Sequence, residues 1–150
     1  MRVMILIKGN KESEAGVMPD EEFVRKMMNF NEELMKAGVL LEADGLQPSS
    51  KGARVRFSRG RTTVIDGPFA ETKELIAGYW IWNVESLQEA VEWVKRCPSP
   101  DDIDDIDDTQ EGEIEIRPIF EASDFVADFA PDIKDQTNRM RDHIEKQKTS

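Results

Sequence analysis

The chain has 150 residues, a formal net charge of −11 and a pI near 4.6. That sign of charge repels nucleic acid and anionic membranes, so neither is an expected partner. A single cysteine, Cys97, excludes an internal disulfide, and the apolar residues 1–7 are too short for a signal peptide or a membrane span, which makes the cytoplasm the expected compartment.

Arg2-Val3-Met4-Ile5-Leu6-Ile7-Lys8 is a continuous apolar run of strand length, without the alternation of a half-exposed strand, so both of its faces need cover. A polar loop is expected over 9–17. A helix is predicted to start near Pro19, whose fixed φ suits the first helical position, with Asp20, Glu21 and Glu22 complementing the N-terminal dipole. Phe23, Met27, Phe30 and Leu34 recur at helical spacing as one buried stripe, and Gly38 is placed to end the helix.

Residues 39–46 read as a second strand and 47–52 as a turn-rich connection. Val55 and Phe57 then alternate with Arg54 and Arg56, and Ser58-Arg59-Gly60 turns the chain back into Arg61-Thr62-Thr63-Val64-Ile65, which predicts a hairpin. Asp66-Gly67-Pro68 stops that strand. Gly67 takes backbone angles closed to other residues, and Pro68 lacks the N–H that a sheet ladder requires. Phe69 follows as an apolar anchor, with charged Glu71, Lys73 and Glu74 just beyond. Gly78-Tyr79-Trp80-Ile81-Trp82-Asn83-Val84 is another strand apolar on both faces. Ser86 and Glu89 have capping-box spacing and open a second helix with Leu87, Ala90, Val91 and Val94 buried, ended by Pro98. After the aspartate run at 101–108, Glu113-Ile114-Glu115-Ile116-Arg117 alternates as a half-buried strand.

The order is β-α-β, hairpin, β-α-β, consistent with a split β-α-β sheet. Two helices cover only one face of such a sheet, yet the strands at 2–8 and 78–84 are apolar on both. A patch of that size is unusual on a monomer, and a second copy related by twofold symmetry is its commonest cover. A homodimer with a partly enclosed space between its sheets is therefore expected. Residues 121–150 are predicted to be a helical extension, with a short cluster of Phe125, Val126 and Phe129. A helix over 131–146 carries Ile133, Met140 and Ile144 on a stripe too thin for an independent core. That extension is expected to pack on its own or its partner's subunit.

The stretch Ile65-Asp66-Gly67-Pro68-Phe69-Ala70-Glu71-Thr72-Lys73-Glu74 resembles the signature of the YCII-related family, in its DGPF branch. Ala37-Gly38-Val39, Gly45-Leu46-Gln47-Pro48, Gly78-Tyr79, Glu89-Ala90 with Trp93, Cys97-Pro98 and Glu115-Ile116-Arg117-Pro118 fit the same pattern in order. The resemblance covers residues 1–120 as one domain. It implies an α+β, ferredoxin-like fold, with the hairpin inserted, that dimerises into an α/β barrel. It implies no particular reaction and no cofactor.

Asp66 is the candidate acid. In the cleft of a dimer it would exchange a proton or hydrogen-bond a small polar group, with its pKa raised beside apolar surface such as Phe69 or Trp80. The bland alternative is a side chain that satisfies the amides of its own turn. Gly67, Pro68, Phe69, Glu71, Lys73 and Trp80 are the candidate ligand-binding residues around it, against an alternative in which the charged ones are merely solvated and the tryptophan is core. Some members of the wider superfamily are held to work through a His–Asp pair, but the only histidine here, His143, lies in the terminal helix and reads as a surface or packing residue. Cys97 at a helix C-terminus reads as a packed thiol. The aspartate run lacks the glycine and terminal glutamate of an EF-hand loop and reads as a solvated block of like charge. Gly-rich phosphate loops, Cys/His zinc spacing and a Gly-x-Ser-x-Gly elbow are all missing from the sequence.

Two functional expectations follow. One is a protein that binds or transforms a small, partly apolar molecule in an inter-subunit cleft. The other is a non-enzymatic dimer acting as an accessory or regulatory partner, since proteins that resemble this one often occur beside, or fused to, alternative sigma factors.

Overall fold

The computed structural model describes residues 1–71, 74–98, 112–125 and 128–150. The expectations placed on Lys73, on the aspartate run and on the side chains of Phe125 and Val126 lie outside the described residues. The chain divides into two compact units, Met1–Pro118 and Ile119–Ser150.

In the first unit, strand β1 (Arg2–Lys8) is followed by a short helix α1 (Lys11–Glu14) within the stretch expected to be loop. A reciprocal cap makes that turn possible: the Asn10 side chain accepts the Ser13 N–H at 2.8 Å, and Ser13 Oγ accepts the Asn10 N–H at 2.9 Å. Helix α2 (Glu21–Lys36) begins one residue beyond Asp20, whose carboxylate accepts the Phe23 N–H at 2.7 Å. It ends at Gly38, which takes φ +74° and lets the Val39 N–H return to the Leu34 carbonyl at 2.9 Å.

Strand β2 (Leu40–Gly45) leads through a 3-10 turn (Ser49–Lys51) to β3 (Ala53–Ser58) and β4 (Arg61–Asp66), then to β5 (Ile76–Asn83), helix α3 (Leu87–Lys95) and β6 (Ile114–Pro118). Four strands form one sheet in the order β2-β5-β1-β6, antiparallel throughout. The register pairs Val3 with Trp82 and Ile5 with Trp80, so these four share the face covered by the helices. There they meet Phe30 and Leu34 of α2 and Ala90 of α3. Phe30 stands edge-on to Trp80, Trp82 and Trp93, with centroid separations of 5.9, 6.3 and 6.4 Å, the geometry ring quadrupoles favour. Trp80 Nε1 donates to Asn31 Oδ1 at 2.8 Å, whereas Trp82 Nε1 is buried without a partner among the described residues.

Helix α3 differs from expectation in two details. Leu87, expected in its buried stripe, is 47% exposed at the first helical position, and burial starts one turn later at Ala90. Its cap is also not a closed box. Ser86 Oγ accepts the Glu89 N–H at 3.1 Å, but the Glu89 carboxylate takes the N–H of Glu85, at 2.7 Å.

Among the described residues, the opposite face of the sheet carries no helix of this unit. Met4 opposite Ile81 and Leu6 opposite Tyr79 form its central strip, all four half-buried. Strands β3 and β4 stand apart as a two-stranded sheet joined by Arg59 (φ 47°) and Gly60 (φ 77°). Two consecutive left-handed residues make the tight turn whose twist suits a hairpin. Every residue of β3 is exposed.

The second unit holds helices α4 (Ala122–Phe125) and α5 (Pro131–Thr149). Pro131 occupies the first turn of α5, where its missing N–H costs nothing. Ile133, Met140 and Ile144 are exposed along α5, and Arg141 pairs with Glu121 at 3.8 Å. No described helix is long and apolar enough to cross a membrane.

Candidate functional site

The 66–69 turn is built against the 3-10 turn that precedes β3. Asp66 ends β4 opposite Ala53, and the Gly67 N–H donates to the Gly52 carbonyl at 3.1 Å. The Gly67–Pro68 peptide bond is cis. Gly67 does not sit at positive φ, so the expected reason for a glycine is replaced by a different one: close approach. A Cβ there would lie 1.7 Å from the Ser49 carbonyl oxygen and 2.6 Å from its carbon. Only a residue without a side chain lets the two backbones touch.

Ser49 is the clamp. Its N–H and hydroxyl both donate to the Glu14 carboxylate, at 3.1 and 2.5 Å, and its Oγ accepts the Phe69 N–H at 3.0 Å. The Phe69 ring lies beneath the Arg54 guanidinium, 3.9 Å from its centroid, and Arg54 also pairs with Glu71 at 3.3 Å. Both are favourable but modest contacts at a partly exposed position. The chain on either side of Asp66 is thereby held from two directions.

The carboxylate itself is exposed and makes no hydrogen bond or ion pair among the described residues. The amides it would have capped are engaged elsewhere, Gly67 with Gly52 and Phe69 with Ser49, and Pro68 has none. Asp66 therefore does not serve its own turn. Asp66, Gly67, Pro68, Phe69 and Glu71 come together in one local structure. Trp80 does not join them: it is 3% exposed, its ring partners Phe30 and Trp82 belong to the core, and its Nε1 donates to half-buried Asn31. Its position on the helix-covered face of β5 decides this. Glu74 is exposed. His143 is exposed on α5, its Nε2 3.2 Å from Gln147 Nε2. Cys97 is half-buried against the core with Sγ 3.4 Å from the Pro98 carbonyl. Among the described residues no group of His, Cys, Asp and Glu side chains is arranged to hold a metal ion.

A second polar constellation went unread in the sequence. On the helix-free face Tyr79 Oη donates to Glu42 Oε1 at 3.1 Å and lies 3.4 Å from Asp44 Oδ2. The available signal was the i, i+2 spacing of Glu42 and Asp44, which puts both carboxylates on one side of a strand; which strand they faced depended on pairing. The hydrogen bond to Glu42, then desolvation, then the two negative charges raise the Tyr79 pKa above its ordinary value near 10 and keep it a donor at neutral pH. The protonated form is the one the fold favours, so its contribution to stability is intact below pH 10 and fades as pH rises beyond. Tyr79 is the only tyrosine, so its phenolate absorbance titrates without interference. The midpoint is expected above 10 and should fall toward 10 in Glu42→Gln; a wild-type midpoint at or below 10 refutes the contact.

An open groove of about 440 Å³ runs along α2, lined by Met28, Asn29, Asn31, Glu32, Met35 and Leu40. It contains none of the turn residues. The fold and site together define a small α+β domain: an antiparallel sheet covered on one face by two helices, with a clamped turn that presents a carboxylate. The chain belongs to the YCII-related family, whose domain matches residues 1–123. It is 33% identical over 100 residues, 67% of this chain and 75% of the relative, to an uncharacterised protein of Rhizobium meliloti.

Proposed function

We propose that this protein, within the DGPF branch of its family, binds or transforms a small, partly apolar molecule in a cleft between two subunits, with Asp66 as the polar or acid–base group. One observation carries the reading. The backbone on either side of Asp66 is held by Gly67, Ser49, Glu14 and Phe69, yet none of the described side chains or amides uses its exposed carboxylate. An unused acid on an anchored backbone is available to a ligand. The sheet order β2-β5-β1-β6 is compatible with a ferredoxin-like domain, and the apolar strip of Met4, Leu6 and Ile81 supports closure by a second sheet.

The test is a thermal-shift screen of the purified protein against a metabolite library, repeated with Asp66→Asn. Ligands that stabilise the wild type are expected to lose at least tenfold in affinity in the variant, while its unliganded melting temperature stays within a degree or two, because the exposed carboxylate contributes little to the fold. Hits that bind both proteins equally remove Asp66 from the site. A non-catalytic dimer acting through its surface is the second reading, favoured by the exposure of Val55, Phe57 and Val64 on the hairpin.

A further inference from the structure

The hairpin is an anomaly in this chain. Lys51, Arg54, Arg56, Arg59 and Arg61 lie in a stretch with no acidic residue from 45 to 65, inside a protein of net charge −11. The register divides its two faces cleanly. Val55 opposite Val64 and Phe57 opposite Thr62 share one face with Asp66, while Arg54, Arg56 and Arg61 lie on the other. On the first face Val55, Phe57 and Val64 are 51, 78 and 64% exposed. A two-stranded sheet without a covered face is marginal in water. Among the described residues this one is anchored near its base, where Gly67 meets Gly52 and Ser49 and Arg54 meets Phe69 and Glu71.

Elsewhere on the same unit the charges are complementary. Glu42 and Asp44 on β2 pair with no cation among the described residues, and Arg56, Arg59 and Arg61 pair with no carboxylate. Their helix-free face also holds the half-buried apolar strip of Met4, Leu6 and Ile81.

We infer that the β3–β4 hairpin is an arm that docks on the helix-free face of a second copy. Its Val55, Phe57 and Val64 cover the apolar strip, and Arg59 at its tip answers Glu42 and Asp44. Asp66 shares the docked face, so its carboxylate is enclosed only when the partner is present, and the site is incomplete in one chain. The inference rests on the inter-subunit cleft proposed above and assigns the element that closes it. Dry apolar contact supplies the affinity, and the opposed charges fix the register.

Analytical ultracentrifugation of the full chain tests this with Phe57→Asp and, separately, Arg59→Glu. The altered side chains are exposed, so far-UV circular dichroism should be unchanged while each variant raises the dimer dissociation constant at least tenfold. Dimers as tight as the wild type in both variants overturn the arm and leave the cleft standing. A wild-type monomer at micromolar concentration overturns both. Binding of a labelled DNA duplex that Phe57→Asp abolishes, with the dimer intact, overturns the arm by making the hairpin a nucleic-acid contact.

Discussion

Gly67→Ala is expected to destabilise the protein by about 3 kcal/mol, the upper part of the range for forcing a methyl group into packed surroundings. The reason is geometric. The added Cβ falls 1.7 Å from a backbone oxygen, and no rotamer change moves a carbonyl. Either Ser49 or the whole turn must retreat, and with it goes the Ser49 Oγ bond to the Phe69 N–H. For a protein of this size that corresponds to roughly a 10 °C fall in melting temperature. The amide resonances of Ser49 and Phe69 should shift most in a heteronuclear NMR spectrum. An alanine variant with wild-type melting and unmoved resonances would show that the two turns do not touch. The result also bears on function, because the same contact positions the backbone that carries Asp66. Any ligand found for the wild type should bind the alanine variant poorly even though Asp66 is intact.

Trp82→Ala should cost more, about 3–5 kcal/mol, a large part of the total stability of a domain of this size. Trp82 is fully buried between Trp80 and Phe30 at centroid distances of 5.6 and 6.3 Å, at the centre of the helix-covered face. Trp82→Phe should cost far less. The tryptophan Nε1 is buried without a partner, so the wild type already carries the penalty of a desolvated donor, and phenylalanine removes that penalty while filling most of the space. Urea denaturation followed by far-UV circular dichroism separates the two. Equal losses in both variants would mean that the indole N–H is satisfied after all, and a loss under about 1.5 kcal/mol in the alanine variant would mean that the core collapses onto the hole.

Much of the first unit was legible because its signals are local. Phe30 and Leu34 are buried at the helical spacing that announced them, and Gly38 ends α2 at positive φ as its position required. The alternation around Ser58-Arg59-Gly60 defined a hairpin, and the two continuous apolar runs are the central strands β1 and β5. Helix α1 was missed because its stability comes from a reciprocal Asn10–Ser13 cap and not from apolar periodicity. Trp80 illustrates a deeper limit. Adjacent residues of a strand face opposite ways, and when both are apolar nothing in the pattern says which one the helices cover. The same ambiguity hid Tyr79, whose carboxylate neighbours come from a strand more than thirty residues away.

The order of residues alone determined the strands, the two longer helices of the first unit, the tight turn at Gly60 and the break at Asp66-Gly67-Pro68. Each of these depends on backbone sterics and on contacts within a few positions. Tertiary structure alone decided that β2 pairs with β5, that Gly67 is glycine because Ser49 leaves no room, and that the Asp66 carboxylate is exposed and unused on an anchored turn. Those outcomes depend on which distant backbones come into contact, and long-range packing sets that in a way no local pattern encodes.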